Sequence, residues 1–148
     1  MRVIFLDCDG VLNSNIGWRR DNPDRWDYIT PECLAQLKRI CEVLPDVKVV
    51  FSSSWRFGVE PDMFQERLRE LGAPITIIGK TPRTRILISA ERGAEIQAWL
   101  DEHGAEVDRF VILDDDNDML HLMPQLVRTD SATGLTADKA DEVIRRLK

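Results

Sequence analysis

The chain has 148 residues, 43% of them apolar and 31% charged, with a formal net charge of −6. That is enough for one domain with a real core, and no apolar run reaches the length of a membrane span. The acidic balance argues against a broad nucleic-acid-binding surface but leaves room for a local basic rim around a site. Cys8, Cys33 and Cys41 lack CxxC spacing and cannot all pair. With no basic segment leading into a long apolar stretch at MRVIFLDCDG, the expectation is a reduced, cytoplasmic chain without a signal peptide.

The first element is VIFL (3–6), a continuous apolar run that ends in Asp7 and Asp9. A polar stretch follows at 14–29, carrying Trp18, Arg19, Arg20, Arg25 and Trp26. Thr30 and Pro31 form an N-cap and first-turn proline, opening the helix PECLAQLKRICEVL. VKVVF (47–51) reads as the second strand and runs into SSSWR. Pro61 then opens PDMFQERLRELG, closed by Gly72 in the C′ position.

A third strand is expected at ITII (75–78), followed by an irregular stretch at 79–90 and a helix over 91–103. FVIL (110–113) is the fourth strand, delivered into Asp114, Asp115 and Asp116. LV (126–127) is a weak fifth, and Thr136 caps the last helix, ADKADEVIRRLK. Continuous apolar runs, rather than alternating ones, suit parallel strands covered on both faces. The strand–helix alternation predicts an α/β fold: a doubly wound, Rossmann-like three-layer α/β/α sandwich around a mostly parallel five-stranded sheet. Residues 1–148 read as one domain, without repeats.

Two apolar strands that both end in aspartates need a reason, because like charges at one sheet edge repel. If the first and fourth strands are neighbours, Asp7, Asp9, Asp114 and Asp115 converge. Carboxylate-only ligands suit Mg²⁺, and with no His in either cluster zinc is not expected. Ser52 or Ser53, at the end of the second strand, can donate a hydroxyl hydrogen bond to an anion. Arg56 beyond them offers a guanidinium fork. A cation for the site comes from Arg92, at the start of the third helix, or from Lys80 in the GKTP turn.

Two aspartates, a hydroxyl, a cation and more aspartates, in that order, resemble the haloacid dehalogenase (HAD) superfamily of phosphohydrolases over nearly the whole chain. DCDGV matches the family's DxDG[TV] signature, the serines at 52–54 its hydroxyl motif, Arg92-Gly93 its Lys/Arg motif, and Asp114-Asp115 its closing acidic motif. The resemblance implies Asp7 as nucleophile, forming an aspartyl-phosphate, and Asp9 as general acid and then base. It implies Mg²⁺ on the Asp7 carboxylate, the Asp9 backbone carbonyl and Asp114 or Asp115. Phosphate would be held by Ser52 or Ser53, Arg92 and the Gly10 turn.

No stretch is long enough for an inserted cap domain, so a minimal, capless member is expected, with an open site suited to a phosphate on something large. FSSSWR and IGKTP look similar to HAD domains associated with RNA repair and, more distantly, to polynucleotide kinase-phosphatases. The expected partner is therefore a phosphorylated nucleic-acid end or nucleotide, with Trp18, Arg19, Arg20, Arg56 and Lys80 as substrate contacts. The alternatives are a non-catalytic phosphate- or partner-binding module and a small-molecule phosphatase closed by oligomerisation. Cys8 and Trp99 read as core, His103 as a helix-end residue, His121 as loop packing, and Asp116 and Asp118 as supporting or solvated carboxylates.

Overall fold

The computed structural model describes residues 1–14, 28–83 and 92–148. Five strands, β1 (Arg2–Leu6), β2 (Lys48–Phe51), β3 (Ile77–Lys80), β4 (Arg109–Asp114) and β5 (Leu126–Arg128), form one sheet in the order β3-β2-β1-β4-β5. Every pairing is parallel. The helices are α1 (Pro31–Val43), α2 (Pro61–Glu70), α3 (Arg92–His103) and α4 (Ala137–Leu147).

The apolar runs explain the layering. β1 alternates its contacts between two cores: Ile4 and Leu6 face one, and Val3 and Phe5 face the other. Both cores exclude water, so the strand has no polar face, as expected for a sheet with helices on each side. α1, α2 and α4 cover the first core with Leu37, Ile40, Leu68 and Val143. α3 covers the second with Ile96 and Trp99, the latter packed edge-on against Phe5.

The caps are those expected: Thr30 Oγ1 accepts from the Cys33 N–H, and Thr136 Oγ1 from that of Lys139. The third strand lies further on than ITII (75–78), at Ile77–Lys80. Ile75 is fully buried in the turn ahead of it, while Ile78 points out from an edge strand and is exposed. The apolar run therefore marks a buried turn plus half a strand. Short 3₁₀ turns at Ser54–Phe57, Gly104–Glu106 and Leu120–Gln125 carried no sequence period to find them.

The sheet order makes β1 and β4 central neighbours. Their register pairs Leu6 with Leu113, so Asp7 and Asp114 leave the same edge side by side. No inserted domain occurs among the described residues, and the stretches 15–27 and 84–91 are too short to hold one.

Candidate active site

At the carboxyl edge the Asp7 N–H donates to the Leu113 carbonyl at 3.0 Å, extending the β1–β4 ladder by one bond and bringing the aspartates together. Asp7, Asp114 and Asp115 each present a carboxylate oxygen within 4.8 Å of the others. Asp7 and Asp114 are 6% and 2% exposed. Burial, and then the charge of Asp114, push the Asp7 carboxyl well above its ordinary range, while Arg92 and the Cys8 backbone N–H oppose this. Burial likewise pushes Asp114 up to about 6, against the hydrogen bond from the Asp116 N–H and the charge of Arg92.

Carboxylates desolvated and crowded in this way are a charge cluster that Arg92 offsets only in part. Asp114 Oδ2 is buried with no hydrogen-bond partner among the described residues. Three convergent oxygen donors, one of them orphaned, fit a hard divalent cation such as Mg²⁺.

Gly10 makes this convergence sterically feasible. Its φ is +79°, and a Cβ there would collide with the Asp115 carboxylate. The Gly10 carbonyl accepts from Thr129 Oγ1 at 2.6 Å, and its N–H donates to Asn13 Oδ1 at 2.9 Å. That N–H is thus engaged within the turn, and the missing side chain makes room for Asp115.

The two serines separate clearly. Ser53 Oγ accepts from the Trp55 N–H at 3.1 Å and caps the 3₁₀ turn. Ser52 is 1% exposed, and its Oγ has no partner among the described residues. A buried, unused hydroxyl at the strand end is the one free to meet a ligand.

Arg92 opens α3 with its Nε 3.8 Å from Asp114 Oδ2, and its Nη1 is buried without a partner among the described residues. Its place is set by Asp118, which accepts from the Arg92 N–H through Oδ2 and from the Gly93 N–H through its carbonyl, both at 3.0 Å. Gly93 is required because a Cβ there would run into the Met119 backbone. Lys80 is instead exposed on β3 and pairs with Glu60 at 3.5 Å. Of the two cations weighed from sequence, the geometry brings Arg92 to the carboxylates.

Arg56 departs from expectation. It is 4% exposed, and its guanidinium donates to Glu95 Oε2 at 2.6 Å, the Ser53 carbonyl at 2.9 Å and the Thr81 carbonyl at 3.0 Å. With three of its N–H donors taken up internally, it ties the ends of β2 and β3 to α3. Trp18, Arg19 and Arg20 lie outside the described residues.

Asp9 stands apart from the three-carboxylate group, exposed at the mouth of the site. Asn13 Nδ2 donates to its Oδ1 at 3.0 Å and Trp55 Nε1 to its Oδ2 at 3.2 Å. Asn13, Trp55 and Glu95 were not singled out from sequence. Asn13 lies one turn past Asp9 and Glu95 one helical turn past Arg92, the only local hints; Trp55 reaches Asp9 across the fold.

A three-layer parallel α/β domain with aspartates converging from its two central strands defines the HAD-type phosphohydrolase class. The family model for the HAD domain in Swiss Army Knife RNA repair proteins matches residues 3–140, and the chain belongs to that family. No curated protein and no solved structure matches the chain.

Proposed function

We propose that this chain is a Mg²⁺-dependent phosphomonoester hydrolase working through an aspartyl-phosphate on Asp7, with a nucleic-acid end or a nucleotide as the phosphate's bearer. The observation that carries the reading is the meeting of Asp7, Asp114 and Asp115 beside Arg92 and an unpartnered Ser52 hydroxyl.

In this reading Asp7, Asp114 and Asp115 hold the cation, with the Asp9 carbonyl as the expected backbone ligand. When bound, the cation neutralises the repulsion between carboxylate and phosphate. Ser52 Oγ and the Arg92 guanidinium hold the non-bridging phosphoryl oxygens. An Asp7 oxygen attacks phosphorus. The bond to the leaving oxygen breaks, its electron pair goes to that oxygen, and Asp9 supplies the proton. Water then attacks phosphorus and gives a proton to Asp9, and the pair of the breaking P–O bond returns to Asp7. Ester and water become alcohol and inorganic phosphate, with both aspartates restored.

The substrate class rests on two supports. The family model is described by RNA repair. In the 3₁₀ turn after Ser53, the Phe57 ring is 58% exposed, with the Arg56 guanidinium 4.3 Å and that of Arg83 5.2 Å from its centroid, an aromatic and cationic pairing of the sort that single-strand binders use.

The test is phosphate release in Mg²⁺ from 3′- and 5′-phosphorylated oligonucleotides, nucleotides, sugar phosphates and an aryl phosphate. Turnover that Asp7→Asn abolishes supports the assignment. Turnover surviving Asp7→Asn removes the nucleophile, and a preference for sugar phosphates removes the substrate class.

A further inference from the structure

The Asp9 side chain takes no part in the carboxylate cluster, yet both of its oxygens are held by nitrogen donors. An exposed aspartate on a strand-end turn ordinarily samples several rotamers, and fixing it costs side-chain entropy. Here two rigid groups do so. The Asn13 amide has only one workable orientation, because its Oδ1 receives the Gly10 N–H; its NH₂ must then face Asp9. Asn13 is 4% exposed.

Trp55 is equally constrained. Its backbone N–H is bound to Ser53 Oγ, and its ring stands edge-on to Phe64 with centroids 6.4 Å apart. The indole N–H can reach Asp9 only because the 3₁₀ turn at Ser54–Phe57 curls back over the β1 end. One short turn thus carries both the free Ser52 hydroxyl at its entry and the indole that grips Asp9.

We infer that Trp55 and Asn13 are positioning residues that hold Asp9 over the leaving-group oxygen, coupling the proton donor's placement to the phosphate-binding turn. This rests on the phosphatase reading above. A carboxylate oxygen has two lone-pair sites, so one N–H on each oxygen leaves a site for the transferred proton. Such placement matters most when the departing oxygen is a poor leaving group, since a misplaced catalytic group can cost about a hundredfold.

The experiment compares a nucleoside monophosphate, whose alkoxide needs a proton, with p-nitrophenyl phosphate, whose aryl oxide leaves without one. Wild type, Trp55→Phe, Asn13→Asp and Asp9→Asn are assayed with the full chain in Mg²⁺. Trp55→Phe keeps an aromatic ring to pack against Phe64 and removes the indole N–H together with the five-membered ring. Asn13→Asp keeps the acceptor for Gly10 and replaces the donor.

Trp55→Phe and Asn13→Asp are each expected to lower kcat on the nucleotide by roughly 10- to 100-fold, within the range of general acid catalysis. The loss in the nitrophenol burst should be at least about tenfold smaller, and KM should move less than kcat. The indole N–H resonance of Trp55, assigned by its loss in Trp55→Phe, should shift in Asp9→Asn. Equal losses on both esters, or an effect confined to KM, in an otherwise active enzyme would overturn this assignment alone. A wild type inert on both esters and on the 3′- and 5′-phosphorylated oligonucleotides, with the indole resonance still sensitive to Asp9→Asn, would overturn the phosphatase reading and the proton-donor role with it.

Discussion

Replacing Asp114 with asparagine should stabilise the metal-free protein at neutral pH while destroying its response to Mg²⁺. Asp114 is 2% exposed, and its carboxyl is pushed from 3.8 up to about 6, chiefly by burial. Its folded value is therefore raised above the unfolded one. The associated stability is fully present below about pH 4 and is lost as pH rises through about 6. A shift of about two units corresponds to roughly 3 kcal/mol of penalty at about pH 7.5.

The amide oxygen introduced by Asp114→Asn would accept the Asp116 N–H as the Asp114 carboxylate does at 3.0 Å, so the change removes charge rather than structure. The Arg92 charge 3.8 Å away already opposes the shift and is contained in it, so the gain stays on the order of 3 kcal/mol. At about 2–4 °C per kcal/mol for a chain of this size, Tm in EDTA should rise by roughly 6–12 °C. The gain should fall to about half near pH 5, where the folded carboxyl is mostly protonated.

Saturating Mg²⁺ should reverse the order, since binding to the native state adds about 4.1 kcal/mol at a thousandfold excess over Kd. Thermal unfolding at the two pH values, with EDTA and with Mg²⁺, reads all four conditions. An Asp114→Asn protein less stable than wild type in EDTA at neutral pH would refute the reasoning, as would a gain that does not shrink on acidification.

Other substitutions separate the parts of the site. Ser52→Ala should lower kcat by roughly 10²-fold, as for loss of one anion-binding donor. Its urea midpoint should not fall, because the hydroxyl has no partner to lose among the described residues. Ser53→Ala removes the cap on the Trp55 N–H, and urea unfolding should show a loss of about 1 kcal/mol. Glu95→Ala strands the buried Arg56 guanidinium and should cost roughly 3–5 kcal/mol in urea unfolding. In Gly10→Ala the new Cβ and the Asp115 carboxylate compete for one place, so calorimetric titration should show Mg²⁺ affinity falling by at least about tenfold.

The local chemistry of the site was legible because it is written at strand ends. Apolar runs must lie inside a covered sheet, so β1, β2 and β4 were read to within a residue or two. The aspartates placed directly after β1 and β4 were bound to reach one edge once those strands became neighbours. The Thr30 and Thr136 caps are equally local, a hydroxyl three residues ahead of the N–H it accepts. β3 was misplaced because Ile75 is apolar for a turn's sake, and burial alone does not distinguish a strand from a tight turn.

What the sequence by itself determined was the class of chemistry: a hydrophobic sheet presenting carboxylates, a hydroxyl and a cation in a fixed order. Only the tertiary structure decided which side chains are spent. It committed Arg56 to Glu95, Gly10 to Asp115 and Ser53 to its own turn, while bringing Ser52 and Arg92 to the site with buried groups unpartnered among the described residues. It also placed Trp55 and Asn13 on Asp9. Composition and periodicity record what a residue can do, whereas hydrogen bonding saturates. Whether a donor remains available depends on which partner the fold brings within about 3 Å of it first.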